Sequence, residues 1–428
     1  MNGWMLKRYR QAFFVITWVC VGIFTLTMSA GAAPIKLTLT ENTGSKSDPV
    51  FIEEYMKMNP NVEVSVSSPT FGQLDPLLVR MAAGTGVPDV ISLSSGLVSA
   101  IDRLDLLDLT PYIEKYMTAE DLADFHPSQM ALGNVNGKQV GLPRYMGTIA
   151  TVYNRDMFSQ YGVSAPQRDA FSWNDLLAMA RKFTQDTNGD GQIDRWGYHV
   201  PRAWNRMVHW AWQNEADLFP PGKPEEPTIA SANFIEAWQM LADMRWEYGV
   251  MPRSGQASSN GRAEFAAGKI AAFEEGNWAV PVILGDMVGG AFAVGIAELP
   301  YNKTRATMHT TDMYAIWAGT PNPEEAFKLL MYLTSREANR IQVDYDALPP
   351  ARLSQISYYM RWSQSKGFDM SATPMLWNYA LPTPTLPTEW STALVDALNS
   401  SVRDNKVPVR NALEEAERRI RAYYATSR

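Results

Sequence analysis

The residues best spaced for chemistry in this chain are oxygen donors, in the run Asp186-Thr-Asn-Gly-Asp-Gly-Gln-Ile-Asp194. Oxygen-bearing side chains at the first, third, fifth and ninth places, with glycine at the sixth, match the front of a calcium loop. Asp186, Asn188, Asp190 and Asp194 would offer side-chain oxygens and Gln192 its main-chain carbonyl. The twelfth place, where a bidentate carboxylate normally closes the shell, is Gly197. The alternative is a tightly turned loop that holds no ion. A calcium ion here would be a structural clip, and no cofactor is required. Catalytic patterns are otherwise absent: there is no zinc-protease helix motif, nucleophile elbow, P-loop or dinucleotide fingerprint. His126, His199, His209 and His309 show no ligand spacing. Glu274-Glu275 is an adjacent carboxylate pair near aromatics, but sequence neighbours rarely face one another, so it argues poorly for a two-carboxylate glycosidase.

The aromatic residues say more. Tyr145, Trp204, Trp278 and Trp390 sit in or beside polar loops. Sugar rings present apolar C–H faces with hydroxyl rims, so a carbohydrate site stacks aromatics and surrounds them with Asp, Glu, Asn and Arg. Trp210, Trp212, Trp238 and Trp246 instead fall at helical spacings and read as core. Tryptophan is also unevenly distributed. After Trp4 and Trp18 the next is Trp173, which suggests two unlike lobes with most aromatic surface on the later one.

Composition narrows the function classes. Lys7, Arg8 and Arg10 precede an apolar run from Phe13 to Met28 and then Ser29-Ala-Gly-Ala-Ala33, the three-part pattern of a secretory signal peptide cut near Ala32. An uncleaved anchor is the alternative reading of this run. Cleavage removes Cys20, the only cysteine, so the mature chain forms no internal disulfide. It also removes three cations, taking the formal charge from −7 to −10, a poor match to nucleic acid. Charged residues at 19% and apolar ones at 46% fit a folded chain, and 428 residues exceed one core.

The elements that would position these residues follow an α/β pattern. Ile35–Thr40 and Val62–Val66 alternate as strands, Asp89–Leu93 is a short apolar strand, and helical spacing covers Val50–Met58 and Phe71–Ala83. Strand, helix, strand, helix, strand implies parallel pairing. Ligands in such sheets sit beyond the carboxyl ends of strands, which places Glu41, Asn42, Ser94 and Ser95 at a cleft. Ordinary turn chemistry explains each of the four taken singly. A second α/β stretch begins after Gly141-Leu-Pro143. Ser172-Trp-Asn-Asp175 opens a helix with a capping box, helical spacing covers Asn233–Glu247, and Asn322-Pro-Glu-Glu325 starts another helix. Val409–Tyr424 is a charged amphipathic helix, and Leu381-Pro-Thr-Pro-Thr-Leu-Pro387 must be a loop.

Several segments resemble one family in their order. They are Phe51-Ile-Glu-Glu-Tyr-Met-Lys-Met-Asn-Pro-Asn-Val-Glu-Val64, Met81-Ala-Ala-Gly-Thr-Gly-Val-Pro-Asp-Val90 and Tyr153-Asn-Arg-Asp-Met-Phe158, followed by Phe171-Ser-Trp-Asn-Asp-Leu-Leu177. Phe265-Ala-Ala-Gly-Lys-Ile-Ala-Ala-Phe273 with Gly276-Asn-Trp278 comes next, then the Glu325–Glu337 helix and the Leu348-Pro-Pro-Ala-Arg352 turn. Together they resemble the family 1 extracellular solute-binding proteins of ABC importers, the maltose-binding-protein-like group.

The resemblance implies a two-lobe periplasmic-binding-protein fold of type II, each lobe a mainly parallel sheet flanked by helices. After a signal peptide over 1–32, lobe one would take 33–145 and 297–348, and lobe two 146–296 and 349–428. It further implies a non-enzymatic, periplasmic, monomeric protein that closes on a sugar and delivers it to membrane permease subunits. Trp278 matches the stacking tryptophan of the family's G-x-W element, and Trp390 its late aromatic contact. Tyr145 falls at the first crossing and Arg352 in the late turn. Glu41, Asn42, Ser94 and Asp312 would complete the hydrogen bonds from lobe one. Ser94 and Ser95 depart from relatives that carry a Trp and charged residues there. Two rivals stand beside this reading. One is a secreted carbohydrate-active enzyme using Glu275 or Asp312. The other is the same fold holding a glycerol phosphoester, met by Arg144, Arg202 and Arg352, or a polyamine.

Overall fold

The computed structural model describes residues 33–40, 45–67, 73–166, 171–382, 384 and 386–426. The leader over 1–32, with its cleavage site, and the candidate ligands Glu41 and Asn42 lie outside the described residues.

Two five-stranded sheets organise the chain. In the first, strands run in the order Val62–Ser67, Ile35–Thr40, Val90–Leu93, Met313–Ile316, Gly141–Pro143. The first three are parallel, in register Ile35 to Val62 and Leu39 to Val90. Met313–Ile316 is antiparallel to both its neighbours. Alternation puts Leu37 and Leu39 in the core with no exposure, against Phe51, Ile52 and Tyr55 of the Asp48–Met58 helix. That helix takes Pro49 in its first turn, where a missing N–H costs nothing. The Leu74–Ala83 helix stops at Gly84 in the left-handed region, φ +63°.

In the second sheet the order is Phe368–Asp369, Val294–Ala297, Ile149–Asn154, Ile270–Gly276, Trp196–His199. Trp196–His199 is parallel to Ile270–Gly276, and Ile149–Asn154 is antiparallel to both its neighbours. Each sheet is therefore mixed, with one reversed strand of the kind a chain makes when it enters from the other lobe. The expected capping box is present: Asp175 N–H donates to Ser172 Oγ and Ser172 N–H donates back to Asp175. Helices Ala232–Trp246 and Val409–Thr426 pack together in the second lobe.

Indoles fill this second core instead of covering its surface. Trp210, Trp238 and Trp390 are fully buried and Trp212 nearly so, while Trp246 is half-buried, with its Nε1–H on the Val402 carbonyl. A buried indole removes about 150–250 Å2 from water, worth roughly 4–6 kcal/mol at about 25 cal/mol per Å2.

Return to the first lobe falls later than residue 297. Val294–Ala297 is a strand of the second sheet, and Tyr301 and Lys303 bond through their backbones to Phe171 and Gln213 of the second lobe. The crossing is at His309–Asp312, where Thr310 N–H donates to the Gly147 carbonyl (2.9 Å) and Thr148 bridges His309. A further segment joins there, since Met146 N–H donates to the Pro349 carbonyl (3.0 Å) and Tyr145 bridges Pro350. His309 N–H donates to the Leu381 carbonyl, bringing the proline-rich loop to the same place. No helix among the described residues is long and apolar enough to cross a membrane.

Candidate functional site

Strand ends from both sheets converge on this hinge. In the first lobe Ser94 follows the Val90–Leu93 strand, Arg144 follows Gly141–Pro143, and Asp312 precedes the reversed strand Met313–Ile316, so all three sit at one end of the sheet. Ser95 N–H donates to Asp312 Oδ1 (2.8 Å). Arg144 is buried; its Nε–H donates to the Tyr314 hydroxyl (3.1 Å), and its Nη atoms lie 3.7 to 3.9 Å from Asp48, Asp312 and Asp346. Asp346 is itself held by Lys46 N–H (2.7 Å) and by the Ser45 and Ser47 hydroxyls. Burial opposes the charge on Arg144, but Tyr314 and the three carboxylates outweigh it and hold the guanidinium above its usual range. Burial pushes Asp312 up to about 7, with Arg144 and the Ser95 amide pulling the other way.

In the second lobe the parallel strands Trp196–His199 and Ile270–Gly276 end at the cleft. Trp204–Arg206 forms a single 3-10 turn shortly after the first, and Asn277–Ala279 another directly after the second. Trp278 is half-buried, and its Nε1–H donates to Thr310 Oγ1 (3.0 Å). Guanidinium carbons of Arg206 and Arg262 lie 5.9 and 5.8 Å from its ring centre, within cation–π range. A Cβ on Gly276 would fall 2.3 Å from the indole Nε1 and Cε2, so only glycine lets the ring lie back over this strand end. Asn277 clasps the hinge: its Oδ1 accepts from Thr148 N–H (3.0 Å) and its Nδ2–H donates to the Met146 carbonyl (3.3 Å).

Tyr145 stands between the two halves. Its ring centre is 6.0 Å from the Arg144 guanidinium, and burial raises its phenol well above the usual range, with Asp312, Arg144 and Arg206 as the charges that act on it. At the His309–Asp312 crossing a cavity of about 190 Å3 is lined by Ser95, Ser99, His309, Thr311, Pro382 and Pro384 among others.

The hinge thus gathers Ser94, Ser95, Tyr145, Trp278 and Asp312, and Trp204 lies half-buried in the same 3-10 turn as Arg206, packed against the second-lobe core. Two expected ligand contacts are placed elsewhere. Trp390 is fully buried in the second-lobe core, its ring against Phe219 and its Nε1–H on the Pro224 carbonyl (3.1 Å), so no face is left for a ligand. Its polar flanks belong to the N-terminus of the Thr388–Ala397 helix, not to a cleft. Arg352 is buried 3.8 Å from the Phe125 ring centre and donates to the Thr334 and Asp121 carbonyls, tying the late turn to first-lobe helices. Arg202 donates to the Ala257 carbonyl (3.0 Å). Sequence reasoning missed Arg206, Arg262, Asn277 and Thr310 as site residues. The proximity of Arg206 to Trp278 has no local signal, but Asn277 lies inside the G-x-W element already singled out.

The calcium-loop-like run makes its hydrogen bonds within itself. Asp186 accepts from Gly189 and Gly191 N–H (2.7 Å each), Asn188 from Asp190 N–H, Asp190 from Gln192 N–H, and Asp194 from Thr187. The loop closes on its own amides, and among the described residues no three His, Cys, Asp or Glu side chains are placed to hold a metal.

The acidic pair does not form a hydrolytic site either. Glu274 accepts from Trp210 Nε1–H (2.9 Å) and lies 2.9 Å from His209 Nε2, while Glu275 is paired with Arg262 and accepts from Gly276 N–H. Both carboxylates are buried structural acceptors.

Two α/β lobes joined at a hinge, with an indole and polar side chains gathered where they meet, are the arrangement of a solute-binding protein. The chain belongs to the bacterial extracellular solute-binding protein family, which it matches over residues 39–340. A putative binding protein of Brucella abortus is 23% identical over 335 residues, covering 74% of this chain and 76% of the relative. Among solved structures, the Listeria monocytogenes ABC substrate-binding protein Lmo0181 in complex with cycloalternan superposes with a TM-score of 0.76 at 23% identity, over 92% of this chain and 99% of that one. Maltose-bound MalE3 of T. maritima gives 0.72 at 20% identity, over 91% and 100%.

Proposed function

We propose that this protein is the substrate-capturing component of an ABC importer for a sugar or oligosaccharide. Cleaved near Ala32, it would work in the periplasm as a monomer and present its closed form to membrane permease subunits. One observation carries the reading: a half-buried indole at the interlobe hinge, held edge-on by Thr310, with guanidinium, carboxylate and hydroxyl groups around it. That combination suits a ring with apolar faces and a hydroxyl rim. The sugars named in the two superposed complexes agree with it. Ligand would enter the open cleft, lie against Trp278, and favour closure through the polar groups at Tyr145, Ser95 and Asp312. A polyamine is a poorer guest, because Arg144 already occupies the centre of the Asp48, Asp312 and Asp346 cluster. A thermal-shift screen of purified mature protein against sugars, phosphoesters and polyamines tests the reading, since a ligand that binds only the native state raises its melting temperature. A rise with saccharides supports it; a rise with polyamines alone overturns it.

A further inference from the structure

Within that sugar-binding reading, on which this inference rests, one cation at the cleft lacks a partner. The Arg206 side chain lies 5.9 Å from the Trp278 ring centre, and its Nη1 is sealed from solvent with nothing to donate to. The charged and titratable groups around it are Glu275, Glu274, Arg262 and Tyr145. None of them serves it. Glu275 is taken by Arg262 and Gly276 N–H, and Glu274 by Trp210, His209 and Tyr198. Among the described residues no carboxylate comes within ion-pair distance of Arg206. Arg262, on the same indole, is by contrast neutralised in place.

A guanidinium with a buried, unsatisfied N–H is costly unless something supplies the acceptor. No space adjoins Nη1 as the protein stands, so an acceptor would reach it only as a ligand parts the groups around the indole. Arginine's planar fork suits a two-oxygen or three-oxygen anion better than a lone hydroxyl.

We infer that Arg206 selects the ligand's charge: the ring that rests on Trp278 carries an oxyanion, a carboxylate or a phosphoester, which the Arg206 fork receives. The carboxylate would come from a uronic acid and the phosphoester from a sugar phosphate. The two share one chemistry and separate in the test.

Calorimetry on the mature protein decides this. The acidic probes are D-glucuronate, D-galacturonate, digalacturonate and glucose 1-phosphate; the neutral ones are glucose, galactose and maltose. At least one acidic probe is expected to bind more tightly than its neutral counterpart by about tenfold or more, the effect of one charge-assisted hydrogen bond. Which arm binds, uronate or phosphoester, names the source. In R206M, which keeps the apolar stem, the ratio of acidic to neutral affinity should fall to about one; in R206K it should be partly retained. Circular dichroism and melting temperature check that both variants fold. Neutral sugars binding as well as every acidic probe would overturn the charge assignment and leave the sugar reading standing. So would R206M that keeps the acidic preference. Binding of none of the saccharides, acidic or neutral, would overturn both.

Discussion

Trp278 and Trp390 are the same residue type in similar polar surroundings, yet one faces the hinge and the other is sealed in a core. Gly276 decides the first case, because a side chain there would collide with the indole. Trp278→Ala is expected to weaken sugar binding by at least about tenfold, the order of an aromatic–ring contact with its burial, without unfolding the lobe; unchanged affinity in calorimetry would remove Trp278 from the site. Gly276→Ala should reproduce most of that loss by displacing the ring. Trp390→Ala should behave oppositely: a cavity in the second core costing about 3–5 kcal/mol, seen as a lower melting temperature, with sugar affinity of the folded fraction preserved.

At the scale of elements, the hinge rests on close approach. A Cβ on Gly147 would fall 2.2 Å from Thr310 Oγ1 and 2.7 Å from the Thr310 carbonyl, so the two crossing segments touch only because residue 147 is glycine. Gly147→Val should pry them apart, lowering both the melting temperature and ligand affinity, and moving the open–closed balance visible by small-angle scattering. Ser172→Ala, far from the hinge, removes a cap and should cost about 1 kcal/mol with no change in binding. Most helices and strands here were legible because their signals are local: the capping box at Ser172, Pro49 in a first turn, alternation over Ile35–Thr40. The position of the second crossing was not, since nothing in residues 297–309 distinguishes a strand exit from a hinge. Only pairing of Val294–Ala297 with Ile149–Asn154 settles it.

Across the whole molecule, buried titratable groups couple stability to pH in opposite senses. Asp312 keeps its proton up to about 7 when folded and loses it near the ordinary carboxylate value when unfolded. The folded state therefore binds more protons in that window, and this group's contribution falls as pH rises from about 4 to about 7. Burial pulls His309 down to about 4 and His199 to about 3, so both stay neutral when folded, and their contribution is lost as pH falls below about 6.5. The wild-type profile is a sum of these. Subtracting it from that of Asp312→Asn in melting curves between pH 4 and 8 should isolate the first effect: the variant gains relative to wild type as pH rises. A flat difference would mean that Asp312 is ionised throughout.

Periodicity, caps and the order of short motifs by themselves determined two α/β lobes, the family, and the glycine-framed indole at Trp278, because each of these is written within a few residues. Tertiary structure alone decided which polar-flanked aromatics and arginines reach the cleft. Trp390 is removed from it by a bond to Pro224, 166 residues away, and Asp312 is brought to it by one to Ser95, 217 residues away. Burial is a property of what the rest of the chain packs against a side chain, and no local pattern encodes that.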